Sequence, residues 1–318
     1  MTTDVFHHPW LGGLFSDPEL SALLAPDKTI EHMVRVEAEY LRAQGRIGNI
    51  LSSKSETAAR AVEHACIDVN RLRVGTGRDG VAVPELARQL RAAVDPDLPD
   101  VVHTGLTSQD VIDTAFLLSL RDVIGVLDQR LKRHADALSV LSSKFGATPL
   151  MGRTRMQAAE VVSVADRIST WARPLVSHRQ RLTELSPRLL QLQFGGAAGN
   201  GAAFGAGRDT LAATLAEALG LGYSDRAWHA ERDSVVEFAG WLSLVSGSLG
   251  KMGQDIALMA QQGIDEIALS GGGGSSAMPH KQNPVGAETL ITLARFNATQ
   301  LSGMHHALVH EQERSGAA

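Results

Sequence analysis

A segment free of helix breakers, from Ser108 to about Phe145, constrains the fold of this chain more than any other feature. It contains no proline and one glycine, Gly125, and its apolar residues recur at helical spacing. A helix of this length extends roughly 55 Å. The same periodicity predicts further helices near 156–188, 230–269 and 284–313. Helices this long do not fit one compact chain of 318 residues, so the sequence predicts an elongated all-α bundle that is completed by association of subunits.

The N-terminal part of the chain differs from this pattern, because it has shorter helical segments and loops at 74–83 and 95–100. We therefore predict an N-terminal helical domain at 1–100 and a central long-helix domain at 101–318. Several glycines within 230–269 predict close approach to a neighbouring helix: Gly240, Gly247, Gly250 and Gly253. No alternating pattern of useful length is present, so no strands are expected.

Composition narrows the class of protein. The chain is 44% hydrophobic with a net charge of -5, which is typical of a soluble globular protein. A pI near 6.2 argues against nucleic-acid binding, and no apolar stretch approaches the roughly 18 residues of a membrane span. No signal peptide is visible at the N-terminus. The lone Cys66 excludes an intrachain disulfide, which fits the reducing cytoplasm.

The first motif is the segment 271–284, Gly-Gly-Gly-Gly-Ser-Ser-Ala-Met-Pro-His-Lys-Gln-Asn-Pro. Consecutive glycines let a ligand approach the backbone closely, and Asn283-Pro284 predicts a helix start with Asn as the cap. A mobile loop that ends at a helix N-terminus can hold an anion. A plain Gly/Ser linker is the alternative. The candidate side chains are those of Ser275, Ser276, Met278, Lys281 and Asn283.

The second motif is the segment 103–114, which precedes and begins the long helix. Thr107 or Ser108 can cap this helix, and Asp110 lies in its first turn, as in a capping box. Capping accounts for these residues but leaves His103 and Gln109 unexplained. We therefore predict a second anion-binding segment here.

The third motif is the segment 148–157, where Arg153 and Arg155 precede the second long helix. Two guanidinium groups can clamp a carboxylate, and a solvated basic turn is the alternative. A glycine-rich stretch at 193–200 predicts a chain reversal. His306 and His310 have metal-compatible spacing but lack the glutamate of a metalloprotease motif, so no metal site is predicted.

Together, the Ser-Ser-x-Met-Pro-x-Lys-x-Asn-Pro loop, the Thr-Ser-Gln-Asp segment and the Gly-Arg-Thr turn resemble the fumarase/aspartase superfamily. The resemblance follows the motif order over nearly the whole chain. It implies an all-α homotetramer whose active sites combine the three motif regions from different subunits, without a metal or organic cofactor. It also implies that the C-terminal helical domain of longer relatives is short or absent here.

Within the superfamily, adenylosuccinate lyase-like members have a histidine after Gly-Arg-Thr, where this chain has Arg155. Guanidinium does not exchange protons near neutral pH as imidazole does. This difference, with His103-Thr-Gly-Leu-Thr-Ser-Gln-Asp and the Val-Pro-Glu-Leu at 83–86, resembles the cycloisomerase branch. Members of that branch close a lactone ring on an unsaturated tricarboxylate.

The resemblance implies a role for each candidate residue. Ser275 corresponds to the base of elimination, and therefore to the proton donor in cyclisation, with Lys281 as its nearest activating group. His103 is the rival proton-transfer residue. Charge on an enolate-like intermediate would be stabilised by Arg153, Arg155, Lys281 and Asn283, and the substrate would be contacted by Thr107, Ser108, Gln109, Ser276 and Met278. Two other functions remain open: an adenylosuccinate lyase-like elimination that releases fumarate, and a non-catalytic helical assembly protein.

Overall fold

The computed structural model describes residues 4–270, 273–275, 277, 278 and 280–314. These residues form α-helices joined by loops, short 3₁₀ turns and a single β-hairpin. The mostly helical fold that the periodic segments predict is confirmed. No helix in the described part of the chain is both long and apolar enough to cross a membrane.

The helices and strands follow one another in a simple order. The N-terminal helices are α1 Gly12–Phe15, α2 Pro18–Leu23, α3 Pro26–Arg46, α4 Ser52–Glu63, α5 Val69–Asp79 and α6 Val83–Ala93. The later elements are α7 Ser108–Phe145, β1 Pro149–Thr154, β2 Gln157–Ser163, α8 Val164–Leu189, α9 Arg208–Leu219, α10 Asp233–Met259 and α11 Val285–His306.

The long helices agree with the sequence in their centres and differ at their ends. Helix α7 has the predicted bounds. Helix α10 ends at Met259, before Gly263 and Asp265 adopt left-handed φ angles of 88° and 52°. Helix α11 ends at His306, and its N-cap is Pro284 rather than the predicted Asn283. Backbone hydrogen bonds hold Asn283 in a bridge to Gly273 instead.

A β-hairpin replaces the predicted start of the second long helix. Strands β1 and β2 pair antiparallel, and helix α8 begins only at Val164. The turn is formed by Arg155 and Met156, with φ angles of 49° and 65°. Non-glycine residues occupy this region infrequently, and no Asn or Gly at these positions signals the turn. The expectation of no strands was therefore wrong at this point.

The chain forms two compact units, each discontinuous in sequence. The first contains residues 4–17, Gly125–Ser186 and Asp233–Ala307, and the second contains Pro18–Ile124, Pro187–Arg232 and residues 308–314. The predicted domain boundary near residue 100 remains a prediction.

Glycines bring α10 and α11 together in the first unit. A Cβ atom at Gly250 would lie 2.5 Å from the Cβ of Ala294, and one at Gly253 would lie 2.7 Å from the carbonyl oxygen of Ala287. The predicted close approach is confirmed at these two positions. At Gly240 and Gly247, no described atom lies within 4 Å of such a Cβ, apart from the neighbouring backbone of the helix itself.

The second unit has its core around α3, which packs against α4 and α9. Its buried face includes Tyr40 and Leu41, and the stacked rings of Phe194 and Phe204 lie next to Tyr40. Polar residues share this buried face, notably Glu37 and Gln44. The core of this unit therefore carries polar groups that require specific partners.

Candidate active site

His103 is held by a buried carboxylate from α3. Its Nδ1 lies 2.5 Å from Oε1 of Glu37, whose side chain is 0% exposed, against 13% for His103. Because the carboxylate accepts, Nδ1 carries the proton, and Nε2 has no hydrogen-bond partner among the described residues. His103 also has a left-handed φ of 61°. The sequence predicted a functional His103 but not this partner.

Tyr40, one turn after Glu37 on α3, makes a hydrogen bond to the same loop. Its hydroxyl donates to the carbonyl oxygen of Thr104 at 2.5 Å and accepts from Nε2 of Gln44 at 2.7 Å. Burial raises the pKa of the Tyr40 phenol well above its usual range, so it remains a neutral donor. Helix α3 therefore positions residues 103 and 104 through two side chains on one face.

Asp110 connects the start of α7 to the glycine-rich reversal. Its Oδ1 accepts from the backbone N–H of Gly195 at 2.9 Å and lies 2.8 Å from Nε2 of His229. Its Oδ2 accepts from the N–H of Thr107 at 3.0 Å and of Gly196 at 2.9 Å. The capping box predicted at Thr107 and Asp110 is present in its backbone-to-carboxylate half. Both oxygens are thus occupied by protein groups.

The other residues of the second motif have different environments. The Thr107 hydroxyl accepts from the guanidinium of Arg314. Gln109 donates its Nε2 to the carbonyl oxygen of His229 at 2.9 Å. Ser108 and His103 both line a cavity of about 610 Å³. Two of the predicted residues, His103 and Ser108, therefore line one cavity. The side chains of Thr107 and Gln109 make hydrogen bonds to other groups of the protein.

The charged residues around this cavity are mainly basic. Its walls include Arg78, Arg88 and Arg91 and, among the described residues, one carboxylate, Asp79. The Arg78 guanidinium, with support from Arg88, lowers the pKa of Asp79 to about 2, so this carboxyl stays ionised. These arginines belong to none of the predicted motifs, although Arg88 and Arg91 have the i, i+3 spacing that places two side chains on one helix face.

Glu37 was also missed. A glutamate among Val36, Tyr40 and Leu41, on the buried stripe of an amphipathic helix, was the available signal. Its partner His103 lies 66 residues further along the chain, beyond the reach of any local pattern.

The predicted arginine clamp lies in the hairpin of the first unit. Arg153 belongs to β1, and its Nη1 donates to the carboxylate of Glu266. Arg155 is exposed in the turn. The expected position of these arginines at a helix start was wrong, because the hairpin separates them from α8. Their role as a carboxylate clamp remains a prediction.

The predicted serine of the loop has two backbone donors. The Oγ of Ser275 accepts from the N–H of Met278 at 3.1 Å and of Ala277 at 3.3 Å. Donors of this kind stabilise negative charge on an oxygen. Lys281 is exposed, and its ammonium has no hydrogen-bond acceptor among the described residues. The backbone therefore stabilises this oxygen, and activation of Ser275 by Lys281 stays a prediction.

The remaining loop residues are only partly defined. Met278 is 43% exposed, and the Asn283 backbone pairs with Gly273. Ser276 lies outside the described residues. Within the described part of the chain, no three His, Cys, Asp or Glu side chains cluster so as to hold a metal ion.

Comparison with known proteins agrees with these observations. The sequence profile of the lyase family matches residues 24–298. The chain is 38% identical to the 3-carboxy-cis,cis-muconate cycloisomerase of Pseudomonas aeruginosa, over 98% of this chain and 70% of that protein.

Two solved structures share the fold. The 3-carboxy-cis,cis-muconate lactonizing enzyme of Pseudomonas putida superposes with a TM-score of 0.87 at 38% identity, over 96% of this chain and 69% of that one. A fumarate lyase from Mesorhizobium sp. BNC1 gives a TM-score of 0.87 at 32% identity, over 95% and 68% of the two chains. The chain therefore belongs to the lyase family, within the fumarase/aspartase superfamily that its three motifs indicate.

Proposed function

We propose that this chain is an enzyme that converts 3-carboxy-cis,cis-muconate to 4-carboxymuconolactone by intramolecular lactonisation, a step of protocatechuate catabolism. The observation that carries the proposal is the 38% identity to the Pseudomonas aeruginosa cycloisomerase over 98% of the chain. The arginine-lined cavity beside His103 supports it, because it matches a small substrate with several carboxylates.

The proposed reaction needs a positioned substrate and one proton. An oxygen of one substrate carboxylate forms a C–O bond to a carbon of the diene, and the displaced electron pair moves towards a conjugated carboxylate as an enolate. The α carbon then takes a proton. Three carboxylates become two and a lactone, so each turnover consumes one proton. Because the attack is intramolecular, much of the acceleration comes from orientation.

Ser275 and His103 are the proposed proton-transfer residues. The two backbone N–H groups at the Ser275 Oγ favour its anionic form once it has donated a proton. The Glu37 carboxylate orients the His103 ring, which can exchange a proton through Nε2. In this proposal, the negative charge of the enolate is stabilised by Lys281, Asn283, Arg153 and Arg155. The substrate is contacted by Thr107, Ser108, Gln109, Ser276 and Met278.

A second candidate is β-elimination that releases fumarate. The equal TM-score of the Mesorhizobium fumarate lyase favours keeping this alternative. Arg155 stands where adenylosuccinate lyase-like members have a histidine, which counts against an adenylosuccinate substrate.

The test is turnover of 3-carboxy-cis,cis-muconate. Loss of the diene absorbance should be accompanied by uptake of one proton per turnover in a pH-stat. Adenylosuccinate, assayed in parallel, should not react. Absence of diene loss with 3-carboxy-cis,cis-muconate would contradict the proposal, and fumarate release from adenylosuccinate would establish the alternative.

We further propose that the protein acts in the cytoplasm as a homotetramer with active sites shared between subunits. Large apolar side chains exposed on the long helices support association: Phe116, Val140, Leu141, Val176, Leu244 and Phe296. Light scattering of the purified protein should give four chains. Ser275→Ala should abolish lactonisation without changing this mass, and mixing it with His103→Asn should restore activity if the sites are shared.

A further inference from the structure

The cavity beside His103 carries three arginines that belong to none of the three motifs. Arg78 lies at the end of α5, and Arg88 and Arg91 lie one turn apart on α6. We call these three residues the arginine seat. Their guanidinium groups share the cavity with the proposed proton-transfer residue His103.

The protein holds each of these side chains in place. Arg78 donates through Nε and Nη2 to the two oxygens of Asp79 at 2.7 and 2.8 Å. Arg88 donates through Nη2 to Asp79 at 2.9 Å and through Nε to the carbonyl oxygen of Pro84 at 3.2 Å. Side chains that are fixed before a ligand arrives lose less entropy on binding.

Arg91 is fixed to the His103 loop itself. Its Nε and Nη2 donate to the carbonyl oxygen of Val102 at 3.2 and 3.1 Å. Because Val102 precedes His103 in the chain, this contact couples the position of the guanidinium to that of the imidazole. A ligand group bound at Arg91 would therefore lie at a defined distance from His103.

The arginine seat retains net positive charge and unused hydrogen-bond donors that a ligand can contact. No described residue accepts a hydrogen bond from Nη1 of any of the three arginines. Within the cavity wall Asp79 is the only carboxylate among the described residues. Glu85 also approaches Arg88 Nε, at 3.2 Å, but it is shared with Arg71. An excess of positive charge remains, and guanidinium groups match carboxylate geometry.

The proposed substrate has one carboxylate that needs such a seat. One of its three carboxylates attacks, one takes up the enolate charge, and the third is a spectator. Resting on the proposed function, we infer that the arginine seat binds the spectator carboxylate and thereby selects tricarboxylates over dicarboxylates. The chemical class of its ligand is a carboxylate carried by a small polyanion.

Arg88→Gln and Arg78→Gln test this inference, because these side chains are 41% and 55% exposed and their loss should not prevent folding. Arg60→Gln is the matched control, since Arg60 is exposed and pairs with Glu56 away from the cavity. In each variant, KM and kcat are measured with 3-carboxy-cis,cis-muconate. Direct calorimetric binding is measured with propane-1,2,3-tricarboxylate and with glutarate, which lacks the central carboxylate.

We expect each seat variant to raise KM roughly tenfold to a hundredfold with little change in kcat, on the scale of one charged hydrogen bond. Binding of propane-1,2,3-tricarboxylate should weaken by a similar factor, and binding of glutarate much less. The control should match the wild type. Unchanged KM and binding in both seat variants, or a fall in kcat alone, would overturn the inference.

The two proposals fail in different ways. If the wild type does not turn over 3-carboxy-cis,cis-muconate but binds propane-1,2,3-tricarboxylate through Arg78 and Arg88, the proposed function is wrong and the seat stands. If turnover is present and both seat variants behave as the control does, the function stands and the seat is wrong.

Discussion

Two histidine–carboxylate pairs in the second unit have the same chemistry and different surroundings. His229 and Asp110 are 2% and 1% exposed, and Asp110 also accepts three backbone N–H groups. Glu37 is equally buried, but its Oε2 has no hydrogen-bond partner among the described residues, so its only such contact is with His103. The Asp110 carboxylate therefore links several chain segments by hydrogen bonds, whereas the Glu37 carboxylate contacts a single imidazole.

The cavities beside the two histidines differ in charge. The cavity at His103 has the arginine seat in its wall. The cavity at His229, of about 310 Å³, is lined by Glu231 and Glu313, which would repel a polycarboxylate. The same histidine–carboxylate pair can therefore stabilise the fold in one place and position a proposed proton-transfer residue in another. The partners of the carboxylate and the charge of the adjoining space decide which.

The largest expected effect is on stability, from Asp110→Ala. This change leaves the N–H groups of Thr107, Gly195 and Gly196 and the His229 ring without their acceptor in a buried position. The free energy of unfolding should fall by about 3–5 kcal/mol, measured by urea denaturation at fixed protein concentration.

Asp136→Ala is the control for this measurement. Asp136 pairs with Lys132 at 2.7 Å on an exposed helix face, and such pairs contribute about 0.3–0.5 kcal/mol. Equal unfolding midpoints for the two variants would show that Asp110 does not hold the segments together.

The next largest effect is on activity, from His103→Asn. The asparagine amide can replace Nδ1–H as the donor to Glu37 and tolerates the left-handed φ of 61°, but it cannot exchange a proton. We expect turnover to fall at least about a hundredfold, with a small change in stability. His229→Gln, which keeps a donor for Asp110, should retain activity within about threefold. Loss of activity in His229→Gln alone would reverse the comparison.

A smaller effect is expected from Glu37→Gln. The amide oxygen still accepts from His103 Nδ1, but the hydrogen bond no longer has a charged acceptor, so the imidazole ring is oriented less firmly. We expect kcat to fall about tenfold, within the range of general acid–base effects, with KM nearly unchanged. This is the opposite kinetic pattern to that of the seat variant Arg88→Gln. A rise in KM with constant kcat would show that Glu37 supports binding rather than proton transfer.

The sequence predicts those elements whose structure is determined by residues close together in the chain. Helix α7 has its predicted bounds because apolar spacing and the absence of breakers are local properties. The hairpin was missed because Arg155 and Met156 adopt left-handed angles in a turn that lacks glycine. His103 stood out in a dense motif, whereas Glu37 acquires its role only when α3 packs beneath the loop. The arginine seat likewise requires the pairing of α5 and α6 with residue 103.

The smallest expected effect concerns another histidine of the second unit, His32, which is buried and lacks a bonded carboxylate. Neither ring nitrogen has a hydrogen-bond partner among the described residues, and the carboxylate of Asp122 is 3.8 Å away. Burial, with the nearby charge of Lys28, lowers the pKa of His32 below its ordinary 6.5. The unfolded chain therefore binds more protons than the folded one just below pH 6.5, and the free energy of unfolding must fall as pH falls through this window.

His32→Leu should flatten that dependence, measured by urea denaturation between pH 7.5 and 5. If the free energy of unfolding of His32→Leu depended on pH as that of the wild type does, burial would not be holding the His32 imidazole neutral. His32 would then not differ from His103 and His229 in the way that its missing carboxylate partner predicts.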